Sequence, residues 1–238
     1  MSGHSKWSQI KRQKGVSDVK RGAAFTKLGK AITIAVKQGG GIGDPAQNFR
    51  LRLAIDTARS ANMPKDNIDR AIARAVNRET GDVEEVVYEG FAPGGVSVIV
   101  EAATDNSMRT TAEVKSIFSK AGASFGQPGS VAYQFDQVGE IFVEKNGKTI
   151  DDIFLIAAEA GAEDVEELGD EVAIYTKVNA LAAVQKNLAT QLGVKSAQIT
   201  RKPKMLVEVS GEQSEKVTQF LEKLEELEDV QKVYANIA

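Results

Sequence analysis

The spacing of hydrophobic residues changes from a helical to a strand period about one third of the way along this 238-residue chain. In the first third, apolar side chains recur every three or four residues, which predicts three short amphipathic helices. We expect these helices at residues 23–38, 46–61 and 64–78, with a glycine-rich connection at 39–43 and the Asp44-Pro45 pair at the start of the second. Their narrow apolar stripes predict a small bundle.

Beyond Gly81 the apolar positions alternate and the segments between turn residues are short, which predicts β-strands. A hairpin is expected around residues 92–95, followed by a helix that Asp105, Asn106 and Ser107 can cap. The later segments are predicted as strands at 131–135, 140–144, 163–168, 172–176, 196–202, 206–209 and 230–235, with helices at 150–160, 178–192 and between the last two strands.

This order of elements predicts an α+β protein with three domains. The segment 137–203 alone contains the β-α-β-β-α-β order of a ferredoxin-like fold, whereas the elements before and after it need each other to bury their apolar faces. We therefore expect an N-terminal three-helix bundle followed by two ferredoxin-like α/β sandwich domains, the last inserted into the middle one. The predicted boundaries are 1–80, 81–136 plus 204–238, and 137–203.

Charge is divided unevenly along the chain, although the formal net charge is only −3. Residues 1–78 hold 16 Lys and Arg against 5 Asp and Glu, while residues 79–238 hold 14 against 28. A basic segment joined to an acidic one predicts a cationic surface for a polyanion. Between Thr149 and Thr176 there are nine carboxylates and no Lys or Arg, which we interpret as a solvated acidic face. The alternatives are that this face repels nucleic acid or contacts a basic protein.

The composition argues against most enzyme chemistry. The chain has no cysteine and one histidine, His4, which excludes disulfides, thiolate nucleophiles and sites that need a histidine pair. We expect no enzymatic activity, no cofactor and no metal ion. No apolar run reaches the length of a membrane helix, and the N-terminus lacks the apolar core of a signal peptide, so we expect a cytoplasmic protein without a membrane partner.

The candidate contacts to nucleic acid lie in the basic first third. The cations expected to neutralise phosphates are Lys6, Lys11, Arg12, Lys14, Lys20, Arg21, Lys27, Lys30, Arg50, Arg52 and Lys65. We expect Trp7 to offer a stacking surface for bases, and packing back on the bundle is its alternative use. Arg109 follows a helix start, where the helix dipole disfavours a cation, so we expect it to contact a bound anion.

Several short runs make the sequence similar to the YebC/PmpR family. They are GHSKW at 3–7, FTK at 25–27, RLR at 50–52, ANMPKDNI at 61–68, YEG at 88–90, PGGV at 93–96, TDN at 104–106 and GSV at 129–131. The resemblance is dense as far as about Phe135. It implies a helical N-terminal domain followed by two α/β domains.

For function, the resemblance implies a regulator of gene expression that binds nucleic acid. Members of the family are described as DNA-binding transcriptional regulators, and others as ribosome-associated translation factors that relieve stalling; relatives include mitochondrial activators of cytochrome oxidase translation. The expected partner is therefore DNA or ribosomal RNA, and with the latter the ribosome. We see no helix-turn-helix and no dimer seam in the sequence, so a monomer is favoured. An enzyme acting at a cleft between domains is a third alternative.

Overall fold

A computed structural model describes residues 7–8, 21–77 and 83–238. These residues divide into two compact units. The second unit is the continuous segment 135–204, and the main unit comprises the described residues before and after it. Each unit contains one four-stranded antiparallel sheet, so the fold is mixed α/β. The further predicted division into three domains stays a prediction.

The helices and longer strands lie close to the predicted positions. In chain order they are α1 (Arg21–Gln38), α2 (Phe49–Ser60), α3 (Lys65–Val76), β1 (Glu84–Ala92), β2 (Val96–Thr104), α4 (Ser107–Lys120), β3 (Ser124–Phe125), β4 (Phe135–Glu144), α5 (Ile150–Ala160), β5 (Asp164–Leu168), β6 (Glu171–Thr176), α6 (Leu181–Leu188), β7 (Gly193–Pro203), α7 (Gly211–Glu226) and β8 (Val230–Ala235). Single 3₁₀ turns at Ala132–Gln134 and Val178–Ala180 precede β4 and α6.

Helices α1 to α3 share one apolar cluster, which includes Ile32, Val36, Leu51 and Ile68. Helix α2 begins three residues later than predicted because Asn48, rather than the Asp44-Pro45 pair, caps it. The side-chain oxygen of Asn48 accepts a hydrogen bond from the backbone N–H of Leu51 at 3.1 Å. The amide nitrogen of the buried Asn48 donates to two carbonyl groups outside α2, which fixes the glycine-rich connection against the start of the helix.

The sheet of the main unit has the strand order β3-β1-β2-β8. Helices α4 and α7 pack on it, and the rings of Phe118 and Phe220 meet edge to face with their centroids 4.9 Å apart. Gly90 in β1 permits this packing. A Cβ atom there would lie 2.4 Å from the carbonyl oxygen of Ser124 and 2.5 Å from the ring of Phe118, so a larger residue would push β3 and α4 away.

The predictions of two strands in the main unit are wrong. Residues 131–135 do not form a strand, because the backbone N–H groups of Val131 and Ala132 donate to the carboxylate of Glu89 and a 3₁₀ turn follows. The segment 206–209 contributes a single bridge, between Val207 and Ile237. The main sheet consequently runs β-β-α-β-α-β along the chain, which is not the ferredoxin-like order predicted for it.

The elements of the second unit follow the predicted β-α-β-β-α-β order, and the sheet order is β5-β6-β4-β7. Helix α5 spans the predicted residues 150–160. Thr149 and Asp152 form a reciprocal capping box at its start, and Gly161 ends it in the left-handed region with a φ of 96°. The predicted helix 178–192 is shorter than expected, since it consists of the 3₁₀ turn and α6.

Candidate nucleic-acid interface

The structure describes only part of the predicted set of cations. Lys6, Lys11, Arg12, Lys14 and Lys20 lie outside the described residues, and Arg21 is the first residue of α1. Their role in binding phosphates stays a prediction. The remaining candidates, on α1, α2, α3 and α4, can be placed.

Trp7 does not offer a stacking surface. Its ring is only 3% exposed and belongs to the apolar core of the main unit, together with Val98 and Phe220. The indole N–H donates to the carbonyl oxygen of Val233 at 3.0 Å, so its polar atom is also satisfied. The expectation of base stacking is therefore wrong for this conformation. The alternative of packing on the fold is the better interpretation, although the partner is the sheet rather than the bundle.

Lys27 and Lys30 point toward the protein rather than toward a ligand. Lys27 donates to the backbone carbonyl of Glu225 at the end of α7. The Nζ of Lys30 lies 2.5 Å from a carboxylate oxygen of Asp229, and its side chain is 17% exposed. Both lysines thereby fasten α1 to the sheet of the main unit. Their predicted role as phosphate contacts is corrected to a structural one.

Arg109 does contact an anion, but the chain itself supplies it. The Nη2 atom lies 2.7 Å from Asp229 and 2.8 Å from Asp105. The hydrogen bonds that Arg109 donates to these carboxylates, above all the one to Asp229, raise the pKa of Arg109 further above its ordinary value. The unfavourable position of a cation at a helix start is thus compensated internally, and the prediction of a bound external anion at Arg109 is not needed.

Asp229 is the centre of this polar cluster. Its side chain is 3% exposed and accepts hydrogen bonds from Lys30, Arg109, Thr104 and Thr110. Burial alone would raise the pKa of Asp229, but the hydrogen bonds from Arg109, Lys30 and Thr110 outweigh burial and hold the pKa well below its ordinary value. The cluster joins α1, the end of β2, the start of α4 and the connection between α7 and β8.

The candidates on α2 and α3 remain at the surface. An open cleft of about 330 Å³ lies between helix α2, helix α3 and the loop before α2. Its lining includes Pro45, Ile55, Ile68 and Ile72. Lys65, one of the predicted contacts, also lines the cleft and is exposed. These residues give the cleft an apolar floor and a cation at its margin.

Two arginines on α2 lie at or beside this cleft, which we call the α2–α3 cleft. Arg59 lines it, with 68% of its side chain exposed and an i,i+3 pair to Asp56 at 3.7 Å. Arg52 donates to the carbonyl oxygens of Pro45 and Ala46 at 3.0 and 3.2 Å, so it lies beside the loop that forms the wall. Of the predicted cations, Lys65 thus lines the cleft and Arg52 contacts Pro45, another residue of its lining.

Arg59 was not among the predicted contacts, although its spacing of seven residues from Arg52 indicates a shared helix face. Arg50, which was predicted, is exposed and donates to the side chain of Gln38 at 3.0 Å. Arg70 and Arg74 are exposed on α3. These arginines add positive charge to the surface of the helices.

The apolar floor of the cleft continues onto exposed side chains. Ile42 is 40% exposed and Val76 is 45% exposed. Gly43 packs closely here, since a Cβ atom on it would lie 2.6 Å from a methyl group of Val76 and 3.2 Å from one of Ile72. The glycine-rich connection thus lies directly against α3. Gly43 therefore has a packing role, which the sequence pattern alone did not show.

The acidic run of the second unit is less uniform than the sequence indicated. Lysines from other elements approach it: Lys145 pairs with Glu167, Lys177 with Glu163, Lys195 with Glu171 and Lys202 with Asp164. The interpretation as a solvated face remains a prediction for the other carboxylates.

Among residues 7–8, 21–77 and 83–238, no three acidic or histidine side chains are grouped so as to hold a metal ion. Within the same residues, every helix is too short or too polar to cross a membrane.

The fold and this surface define a mixed α/β protein with a cationic, helical N-terminal segment. The chain matches the family described as "TACO1/YebC protein N-terminal domain" over residues 5–78 and that described as "TACO1/YebC second and third domain" over residues 83–237. It therefore belongs to the TACO1/YebC family, as the sequence runs indicated.

Relatives from several organisms match nearly the whole chain. A protein of Roseiflexus castenholzii is 50% identical over 243 residues, which span 100% of this chain and 95% of the relative. One of Acidithiobacillus ferrooxidans is 50% identical over 238 residues, spanning 99% and 94%. Both carry the name "Probable transcriptional regulatory protein". The crystal structure of a conserved hypothetical protein from Aquifex aeolicus is similar, with a TM-score of 0.88, 43% identity, and coverage of 98% of this chain and 97% of that one.

Proposed function

We propose that this protein is a regulator of gene expression that acts by binding nucleic acid, without enzymatic activity. The observation that carries the proposal is the α2–α3 cleft, where Arg59 and Lys65 line the cleft together with apolar side chains and Arg52 contacts Pro45 of the adjoining loop. This surface belongs to residues 1–78, which contain 16 Lys and Arg but only 5 Asp and Glu. Phosphate contacts by Lys and Arg supply most of the affinity of proteins that bind nucleic acid without reading a sequence. The name that the relatives carry agrees with this role.

In its first form, the proposal is a transcriptional regulator that binds duplex DNA. Four residues, 61–64, join α2 to α3, and that is the length of the connection in helix-turn-helix modules. Asn62, with a φ of 58°, makes the tight turn. Arg70 and Arg74 on the exposed side of α3 would then contact DNA.

In its second form, the proposal is a translation factor that binds ribosomal RNA. The observation in its favour is that the cations lie around a concave apolar surface, whereas groove reading in DNA uses a convex helix. Proteins that recognise single-stranded or looped RNA combine phosphate contacts with surfaces for bases. The cationic extension before α1 adds charge for such a target.

In both forms we place the contact on the helical N-terminal domain. The middle α/β domain carries that helical domain, and the ferredoxin-like domain at 137–203 is inserted into the middle one. The acidic run in the inserted domain keeps nucleic acid away from it and so orients the protein on its target.

The test is binding at graded salt by the wild type and by the double variant Arg52→Glu, Lys65→Glu. Ribosome co-sedimentation and a gel shift with promoter DNA are measured in parallel. We expect affinity to fall steeply with salt, and the double variant to bind more weakly with a salt slope smaller by about two. The matched control is Lys120→Glu, Lys186→Glu, which makes the same charge change at exposed lysines of α4 and α6.

A response that is flat in salt, or equal losses in the double variant and its control, would contradict the proposal. Binding to ribosomes alone selects the second form. Binding to one promoter sequence alone selects the first.

A further inference from the structure

The lining of the α2–α3 cleft combines apolar side chains with two cations, Arg59 and Lys65. We propose that the cleft holds an unstacked nucleobase, so that the target is an unpaired strand or loop rather than an intact duplex. This inference rests on the proposed function and specifies the chemical class of its ligand. It concerns the base, whereas the proposed function concerns only the phosphates.

The size and lining of the cleft fit a flat, partly apolar group. Its volume of about 330 Å³ lies at the lower end of the roughly 300 to 1,000 Å³ that small-ligand sites occupy. Its apolar lining comes from Pro45 in the loop before α2, from Ile55 on α2, and from Ile68 and Ile72 on α3, of which Ile55 and Ile68 are largely buried. Proteins that take bases out of a stack hold them between apolar or aromatic side chains.

The cations at the cleft indicate that the group held in it is attached to phosphates. Arg59 and Lys65 both line the cleft, from α2 and α3 respectively, and Arg52 lies next to Pro45. A base in the cleft would bring the phosphates on either side of it within reach of these cations. A neutral apolar ligand would not need them, and a free anion would not need the isoleucines.

One carboxylate in the lining refines the choice of ligand. Asp69 is exposed and lines the cleft beside Lys65 and Ile72. It would repel a phosphate placed inside the cleft, but it can accept hydrogen bonds from the amino or imino groups of a base. The phosphates therefore belong at the margin and the base in the interior.

A base inside a duplex is stacked on both faces and cannot enter the cleft without being flipped out, which costs the energy of unstacking and unpairing. An unpaired strand avoids that cost. The apolar floor thus favours single-stranded or looped nucleic acid over duplex.

The experiment fills the cleft without changing any charge. Ala73 lines it from the exposed side of α3, so Ala73→Met places a larger apolar side chain in it and keeps a good helix former. The matched control is Ala112→Met, the same change at an exposed position of α4. Melting temperatures of both variants show whether each is folded.

The probes are a fluorescein-labelled single-stranded RNA oligonucleotide, the same strand with abasic residues, and the corresponding duplex. We expect the wild type to bind the complete strand more tightly than the abasic strand, because the abasic strand lacks the group that the cleft holds. Ala73→Met should abolish the difference and leave the weaker, salt-dependent binding. Ala112→Met should behave as the wild type does.

A second measurement does not depend on the variants. The fluorescence of 2-aminopurine in the strand should rise on binding, since this base is quenched when stacked on its neighbours and bright when held apart from them. No rise, or equal affinities for complete and abasic strands, overturns the inference while the phosphate-dependent binding of the proposed function stands. No binding of any of the probes at low salt contradicts both.

Discussion

Arg109 donates a hydrogen bond to Asp229 at 2.7 Å, and this pair links the start of α4 to the connection between α7 and β8. Lys30 approaches the other oxygen of the same carboxylate from α1. Asp229 therefore joins elements that are up to 199 residues apart in the chain. The anion that compensates Arg109 at a helix start is part of the fold, and the basic helix α1 is positioned on the sheet by the same group.

Replacement of Asp229 should destabilise the main unit. In Asp229→Ala the partly buried Lys30 and the buried Thr110 lose the carboxylate that accepts their shortest hydrogen bonds, and we expect the free energy of unfolding to fall by about 3 kcal/mol. Urea unfolding followed by circular dichroism measures the loss. The control is Asp105→Ala, which also removes a partner of Arg109 but is 58% exposed, so a loss below about 1 kcal/mol is expected. Equal losses in the two variants would refute the central role of Asp229.

The same carboxylate should make stability depend on pH in the acid range. The pKa of Asp229 is lower in the folded state than the ordinary 3.8, so its contribution is complete above the ordinary value and is lost as the pH falls toward the folded value. The difference in unfolding free energy between wild type and Asp229→Asn should be constant from about pH 7 to 5 and shrink below about pH 4. Urea unfolding at a series of pH values tests this, and a difference that is as large at pH 3 as at pH 6 contradicts it.

The helices and most strands could be predicted because their evidence is local. The period of the apolar residues placed α1 within two residues of its observed start and α5 at its observed bounds. The errors arise where a side chain that is distant in the sequence accepts hydrogen bonds from the backbone. Val131 is a residue type that favours strands, but its backbone N–H donates a hydrogen bond to the carboxylate of Glu89, which lies 42 residues earlier. No local pattern contains that information.

The candidate site shows the same limit. Charge counting found Arg52 and Lys65, which are exposed, and it equally found Lys27 and Lys30, which the fold uses to dock α1. A lysine on a basic helix looks the same in sequence whether its partner is a phosphate or Asp229. The meeting of Arg59 and Lys65 in the lining of one cleft depends on the packing of α2 and α3, and only the three-dimensional arrangement reveals it.

Glu89 should hold the loop before β4 in place. Its buried carboxylate accepts backbone hydrogen bonds from Gly129, Val131 and Ala132 at 2.7 to 2.8 Å. In Glu89→Ala these donors lose their partner, so we expect faster hydrogen exchange at the three amides and a loss of about 2 kcal/mol in the free energy of unfolding. NMR-detected exchange measures the first effect and urea unfolding the second.

The control for Glu89 is Glu84→Ala, at the exposed start of the same strand. It should leave exchange in the loop unchanged. Unaltered protection of Val131 in Glu89→Ala would show that the loop is held by other contacts.

Trp7 provides a direct optical test of where the N-terminal segment meets the fold, since it is the only tryptophan. Because its ring is buried and its N–H is bonded to Val233, its emission should be blue-shifted and poorly quenched by iodide, and both properties should be lost on unfolding. Trp7→Ala should lower the free energy of unfolding by about 3 to 5 kcal/mol, whereas Trp7→Phe, which keeps much of the packing, should cost less. If Trp7 stacked on bases instead, a bound oligonucleotide would quench its emission strongly; we expect little change at saturating oligonucleotide.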